Sequence, residues 1–170
     1  MTAQKALVGG LIAAAVLAPS AAARIPDFVM LPPRPQPEPV RVAFPVPGAV
    51  MSPFGYRWGR LHSGVDLDGE TGDPVRAALP GRVAAVGYLN HYSGYGLVVK
   101  VRHSRRLVTM YAHLSATNVR VGETVEQGDV LGRVGCTGSC TGSHLHFEVR
   151  VNGTPVDPMR FLGKRLASLD

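Results

Sequence analysis

Ser143-His144-Leu145-His146-Phe147-Glu148-Val149-Arg150-Val151 is the stretch that decides how this chain folds. Side chains of a β-strand point alternately to its two faces. Leu145, Phe147, Val149 and Val151 therefore make an apolar face, and His144, His146, Glu148 and Arg150 make the other. The apolar face anchors the strand to a core, while the two histidines project side by side. Gly153 and Pro155 are expected to end the strand.

Working outward, the same β signals recur. Leu97 to Arg102 and Leu107 to Ala112 are apolar runs split by a charged turn, which predicts a hairpin ending at His113. Pro74 to Ala78 and Gly81 to Gly87 read as strands around a Pro80-Gly81 turn. Gly122 to Asp129 is polar and turn-rich, Val130 to Val134 is a short strand, and Pro158 to Leu169 has room for one short turn or helix. Glycine (20) and proline (14) are abundant and aromatics are few (6%), which favours short strands and tight turns. The expectation is a mostly β domain of antiparallel sheet with little helix.

The chain of 170 residues has the size of one domain with extensions. Lys5, the apolar run Ala6 to Ala18, and Ala21-Ala22-Ala23 read as a signal peptide over residues 1–23, cleaved after Ala23. The apolar run is shorter than the roughly 20 residues a membrane-spanning helix needs, so no stable membrane insertion is expected after cleavage. An uncleaved anchor is the competing reading. Residues 24–47 are Pro-rich and read as an extended linker or pro-segment that buries little. One hypothesis lays it across the cleft. Residues 48–162 would form the domain and 163–170 a tail.

The formal charge is +6 and the isoelectric point is near 9.8. In an exported chain this points to an anionic partner such as the cell wall. The densest basic spot, Arg102-His103-Ser104-Arg105-Arg106, has no interleaved aromatics and reads as a solvated hairpin turn, not a nucleic-acid surface. Outside the cell the only two cysteines, Cys136 and Cys140, are expected to form a disulfide. It would stiffen the Gly-rich turn before His144.

Four of the six histidines fall in three short segments, Leu61–Leu67, Tyr111–Ser115 and Ser143–Val149. A catalytic zinc takes three protein ligands and leaves one position open. Two histidines and one carboxylate from this set would supply those ligands, and two histidines would remain to move protons. Asp66 follows His62 by four residues, but Ser63-Gly64-Val65 argues against a helix and for a bent segment. His91 and His103 read as exposed loop histidines, and Tyr111 as strand packing.

LHSGVDL, YAHLS and GSHLHFEV, in this order, resemble the lysostaphin/LytM-type zinc metallopeptidases. The resemblance runs from about Val46 to Leu162 and includes SPFGYR (Ser52 to Arg57) and PVRAALPGRVAAVG (Pro74 to Gly87). VRVGETVEQGDVLGRVG is similar to the lipoyl-like half of that family's duplicated hybrid β-fold. The resemblance implies one zinc ion held by His62, Asp66 and His146, with His113 and His144 as the catalytic pair. It also implies hydrolysis of peptide bonds in bacterial peptidoglycan by a secreted, wall-associated monomer. A catalytically silent activator of another wall hydrolase is the main alternative. A phosphocarrier or swinging-arm domain would need a lysine at a tight exposed turn, which the matching half lacks. A plain wall-binding module would not need the paired histidines.

Overall fold

The computed structural model describes residues 40–166. The expected signal peptide, residues 24–39 of the Pro-rich segment and residues 167–170 of the expected tail lie outside the described residues. The strands, in chain order, are β1 (Val40–Arg41), β2 (Val50–Ser52), β3 (Gly55–Arg57), β4 (Arg60–His62), β5 (Val65–Asp68), β6 (Pro74–Arg76), β7 (Gly81–Tyr88) and β8 (Leu97–Arg102). They continue as β9 (Leu107–Leu114), β10 (Ala116–Thr117), β11 (Thr124–Val125), β12 (Val130–Arg133), β13 (His144–Val151), β14 (Thr154–Val156) and β15 (Arg165–Leu166). Helix among the described residues is one 3-10 turn, Pro158–Arg160, capped by the Asp157 carboxylate accepting from the Met159 N–H. The domain is therefore mostly β and antiparallel, as composition and patterning indicated. No helix among the described residues is long and apolar enough to cross a membrane.

The main sheet runs β11-β7-β8-β9-β13-β5-β2, with β14 also paired to β13. A second sheet, β10-β12-β6, shares a buried core with it through Val75 and Leu131. The apolar face of β13 (Leu145, Phe147, Val149) joins Val65 and Leu67 of β5, Tyr111 and Leu114 of β9, and Val75 and Leu131 of the smaller sheet in one buried core. Burying each such side chain contributes on the order of 1.5–3 kcal/mol, which keeps β13 fixed beneath the histidines it carries. Tyr111 packs here against Phe147 (ring centroids 5.3 Å apart), and its hydroxyl accepts the Ala78 N–H at 2.9 Å.

Three local expectations give way. β6 and β7 do not pair around Pro80-Gly81, because β6 hydrogen-bonds to β12 and β7 to β8 and β11. β13 ends at Val151 before Gly153, as expected, but the sheet continues beyond it. Asn152 and Gly153, both at positive φ (51° and 83°), turn the chain into β14, which pairs back on Val149–Val151. That two-residue turn geometry matches strand twist, and Pro155 sits in a short outer strand where its missing N–H is tolerated. Residues 40–47 bury more than a linker would. Val42 and Val46 are 1% and 2% exposed, β1 pairs with β15, and the Ala43 N–H reaches the Ala78 carbonyl. The last correction concerns His103. It lies in the hairpin turn after β8 as expected, but it is half-buried, with Nδ1 2.7 Å from the Pro80 carbonyl and Nε2 2.8 Å from Thr109 Oγ1. His91 is exposed.

Candidate metal centre and cleft

The polar face of β13 lies beside β5 and β9. His146 is registered opposite Asp66 on one side and Ala112 on the other. β4 delivers His62, and the chain then bends at Ser63-Gly64 before β5 delivers Asp66. The bend needs glycine, since a Cβ at Gly64 would lie 2.3 Å from the Phe147 carbonyl oxygen and 2.9 Å from His146 Nε2. Three donor atoms converge as a result. His62 Nε2 is 3.1 Å from Asp66 Oδ1 and 3.1 Å from His146 Nδ1, and His146 Nδ1 is 2.9 Å from the same Oδ1. The three residues form a group able to hold a metal ion.

β9 brings His113 by a break in its alternation. Tyr111 and Leu114, three residues apart, both belong to the main core, which regular alternation forbids. The register against β8 slips by one residue between Leu97 and Val99, and His113 has φ 62°. This bulge turns His113 away from the core and toward His144, with ring centroids 4.8 Å apart. A non-glycine residue in the left-handed region costs about 1–3 kcal/mol and is retained where the surroundings over-determine it. Here the His113 N–H reaches the Tyr95 carbonyl, and the ring Nδ1 lies 2.8 Å from the Thr137 carbonyl.

Each of the four histidines has one ring nitrogen held by an acceptor. His62 Nδ1 meets the Pro53 carbonyl (2.8 Å), His113 Nδ1 the Thr137 carbonyl (2.8 Å), His144 Nδ1 the Gly142 carbonyl (2.8 Å), and His146 Nε2 the Glu148 carboxylate (3.2 Å). A carbonyl or an ionised carboxylate can only accept, so each of those nitrogens carries the proton and the neutral ring turns its lone pair the other way. His144 Nε2 then stands 3.7 Å from Asp66 Oδ1.

Glu148 was read from the sequence only as a residue on the histidine face. Its side chain is fully buried and saturated with donors. Ser63 Oγ (2.6 Å) and Tyr95 OH (2.5 Å) donate to Oε1, and Arg150 Nε (2.6 Å) donates to Oε2. A buried carboxylate is tolerated only when paired in this way. Burial opposes its ionisation, but His146, Arg150, Ser63 and Tyr95 overcome that and hold its pKa down at about 2. The same burial, with Glu148 nearby, pushes the Tyr95 phenol up to about 12. Ser63, Tyr95 and Arg150 were missed because their roles depend on three distant segments meeting.

Asp66 is half-buried, which opposes ionisation, yet the His146 and His62 imidazoles hold its carboxyl well below the usual carboxylate range. For His146 burial disfavours the charged ring, but Asp66 and Glu148 outweigh this and raise its pKa. Protons and a metal would thus compete for Nδ1. His113 is pushed down, chiefly by burial, and favours the neutral form. The cleft above these groups has a volume of about 430 Å³ and is lined by all five sequence-predicted site residues. Arg57, Trp58, Arg60 and Tyr95 also line it, and residues 40–47 do not. Cys136 and Cys140 are joined in a disulfide, and Cys140 lies on the cleft wall.

Fold and site together define a metallopeptidase-type centre, with a His/Asp/His cluster, two further histidines beside it, and an open cleft above. The chain belongs to Peptidase family M23, whose model matches residues 60–158. It is 45% identical over 117 residues to the DD-carboxypeptidase/endopeptidase Mpg of Neisseria meningitidis serogroup B, covering 65% of this chain and 26% of that protein. The chain therefore spans about a quarter of that relative's length. A zinc-containing peptidase from Vibrio cholerae is similar in structure (TM-score 0.63, 32% identity, 71% of this chain and 40% of that one). The catalytic domain of the antimicrobial peptidase lysostaphin from Staphylococcus simulans is too (TM-score 0.58, 35% identity, 67% and 89%).

Proposed function

We propose that the chain is a secreted, zinc-dependent endopeptidase that hydrolyses peptide bonds in bacterial peptidoglycan. The observation that carries this is the convergence of His62 Nε2, Asp66 Oδ1 and His146 Nδ1 within 2.9–3.1 Å of one another, beside two histidines that are not part of the cluster. Two imidazoles and one carboxylate are the donor set of a catalytic zinc site, and the acceptors behind both imidazoles fix the tautomers such a metal needs. His62, Asp66 and His146 would hold the ion. When bound, zinc would acidify a water and polarise the scissile carbonyl.

The chain's own residues do the rest. His113 and His144 are two bases on the cleft, each with Nδ1–H committed to a carbonyl and Nε2 left free to exchange a proton. One accepts the proton of the attacking water and returns it to the leaving amine. The other, when protonated, donates to the developing oxyanion. The name of the Neisseria relative supports bonds between D-amino acids as the substrate. The basic charge of the chain supports retention on an anionic wall outside the cytoplasm, where a disulfide persists.

The test is to incubate the zinc-loaded chain with purified peptidoglycan and identify released fragments by mass spectrometry, with His146→Ala as control. New amino termini that depend on His146 are expected. Absence of release by a chain with zinc bound would overturn the proposal.

A further inference from the structure

We propose that the hairpin of β3 and β4 is a recognition arm for a carboxylate of the peptide substrate, and that Arg60 is the residue that pairs with it. The inference rests on the peptidase reading above and adds the charge of the substrate to it.

The hairpin's geometry aims its cations at the metal cluster. Gly55 is registered opposite His62, and Arg57 opposite Arg60. Cross-strand partners share a face, as do residues two apart on one strand. Arg57, Arg60 and His62 therefore share the face that borders the cleft, and all three line it. Two like charges directly opposite across a hairpin destabilise it, so their presence calls for compensating anions. Arg57 has its own partners. Its Nη1 donates to Ser52 Oγ, and its Nη2 lies 3.6 Å from Asp66 Oδ2. Arg60 is exposed and makes no side-chain hydrogen bond or ion pair among the described residues. Among the described residues the only carboxylate lining the cleft is Asp66, which belongs to the metal cluster.

The turn that closes the hairpin carries a second signal. Trp58 and Gly59 both have positive φ (48° and 75°). Two-residue turns of this kind favour asparagine or aspartate before glycine. Tryptophan there is strained, and it is 91% exposed beside the cleft. The Arg57 guanidinium lies 5.5 Å from the centroid of the Trp58 ring, so the indole is part of the same cationic arm, and backbone strain of this kind gathers at ligand-binding sites. Ser93, Gly94, Ser139 and Thr141, elsewhere in the lining, are small and uncharged, and no Lys or Arg outside the hairpin lines the cleft among the described residues, so the positive charge belongs to one arm. Arg60 stands two residues, roughly 7 Å, from His62 along the strand. The carboxylate it takes is thus within one or two residues of the scissile bond.

The experiment uses three short acetylated peptides that contain a D-Ala–D-Ala bond. One ends in a free carboxylate, one is its C-terminal amide, and one is the amide with a glutamate before the D-alanines. For the zinc-loaded chain, kcat/KM should favour an acidic peptide over the plain amide by about tenfold, the scale of one charge-assisted hydrogen bond. The preference should shrink at high salt. Arg60→Gln should bring the ratio close to one and Arg60→Glu should reverse it, with zinc content measured in the same samples. Preference for the free terminus identifies an α-carboxylate, and preference for the glutamate peptide identifies a side chain. Equal rates with acid and amide, or a preference that survives in Arg60→Gln, would overturn the proposal. If none of the peptides is cut, the peptidase reading fails for this bond. Calorimetric affinities of the same peptides then decide the arm by the same ratios.

Discussion

Glu148 shows how much a single residue in this site depends on what surrounds it. It holds the far nitrogen of His146 and is itself held by Ser63, Tyr95 and Arg150. Groups that orient a metal-binding imidazole typically change metal affinity by about 10–100-fold when removed. Glu148→Gln should therefore weaken zinc binding by that order, read by competition with a chromophoric chelator. An unchanged affinity would show that His146 is held by packing alone. His113→Ala should behave in the opposite way, keeping zinc while turnover falls by about 10²–10⁴; loss of zinc in that variant would place His113 among the ligands. That these five residues would meet in one cleft was legible in the resemblance of their three segments to a known family, while residue type and spacing alone left open which of them hold a metal. The support behind them was not legible. Ser63 and Tyr95 look like ordinary polar residues until β5, β13 and the loop before β8 are brought together.

At the scale of elements, two loops hold the bulge that aims His113. The segment closed by the Cys136–Cys140 disulfide carries Thr137. The Thr137 carbonyl accepts from the His113 ring, and its hydroxyl bridges the Leu114 carbonyl and the Leu97 N–H. Gly138 of the same segment lies so close to Gly94 and Gly96 that a Cβ would sit 2.4 Å from their backbone atoms, and the Ser139 N–H bonds the Gly94 carbonyl. Opening the bridge frees the segment that fixes His113 but none of the proposed metal ligands. Cys136 is exposed and open to reductant. Reduction, or Cys136→Ser with Cys140→Ser, should lower kcat about tenfold or more, since a catalytic group displaced by about 1 Å can cost 10²-fold. Zinc content should stay the same. Unchanged kcat after complete reduction, verified by thiol counting, would show that the backbone bonds suffice. The hairpin of β8 and β9 was legible from its apolar runs and charged turn. The bulge was not, because one extra residue on β9 is defined only by its pairing with β8, and nothing in Tyr111-Ala112-His113-Leu114 taken alone marks it.

For the whole molecule, the larger question is what clamps the two sheets around the core. The mostly β class followed from turn residues and alternation, yet the division into two sheets did not. Pro80-Gly81 looks like a hairpin turn, whereas it carries the chain from β6 in the small sheet to β7 in the large one. A chain of polar groups crosses at this junction. The Ala78 N–H donates to Tyr111 OH (2.9 Å), which is 3.0 Å from Thr109 Oγ1, which is 2.8 Å from His103 Nε2, while His103 Nδ1–H donates to the Pro80 carbonyl (2.7 Å). The Thr109 hydroxyl donates to Tyr111 OH, so its contact with His103 Nε2 does not fix the protonation of the ring, which burial decides. Burial lowers the His103 pKa below its ordinary 6.5, although the Pro80 carbonyl pulls the other way. With the folded pKa below the unfolded one, the unfolded chain takes up a proton first as pH falls. The stabilisation is then complete above about pH 6.5 and is lost as pH drops from there through the lower folded value. Denaturant midpoints measured between pH 8 and pH 5 should fall more steeply for the native chain than for His103→Gln, whose polar amide does not titrate. Because the proposed metal ligands are common to both proteins, the difference between the two curves belongs to His103. Parallel curves would mean that His103 titrates alike in the folded and unfolded chain, and that the junction is held by Tyr111 and the apolar core alone.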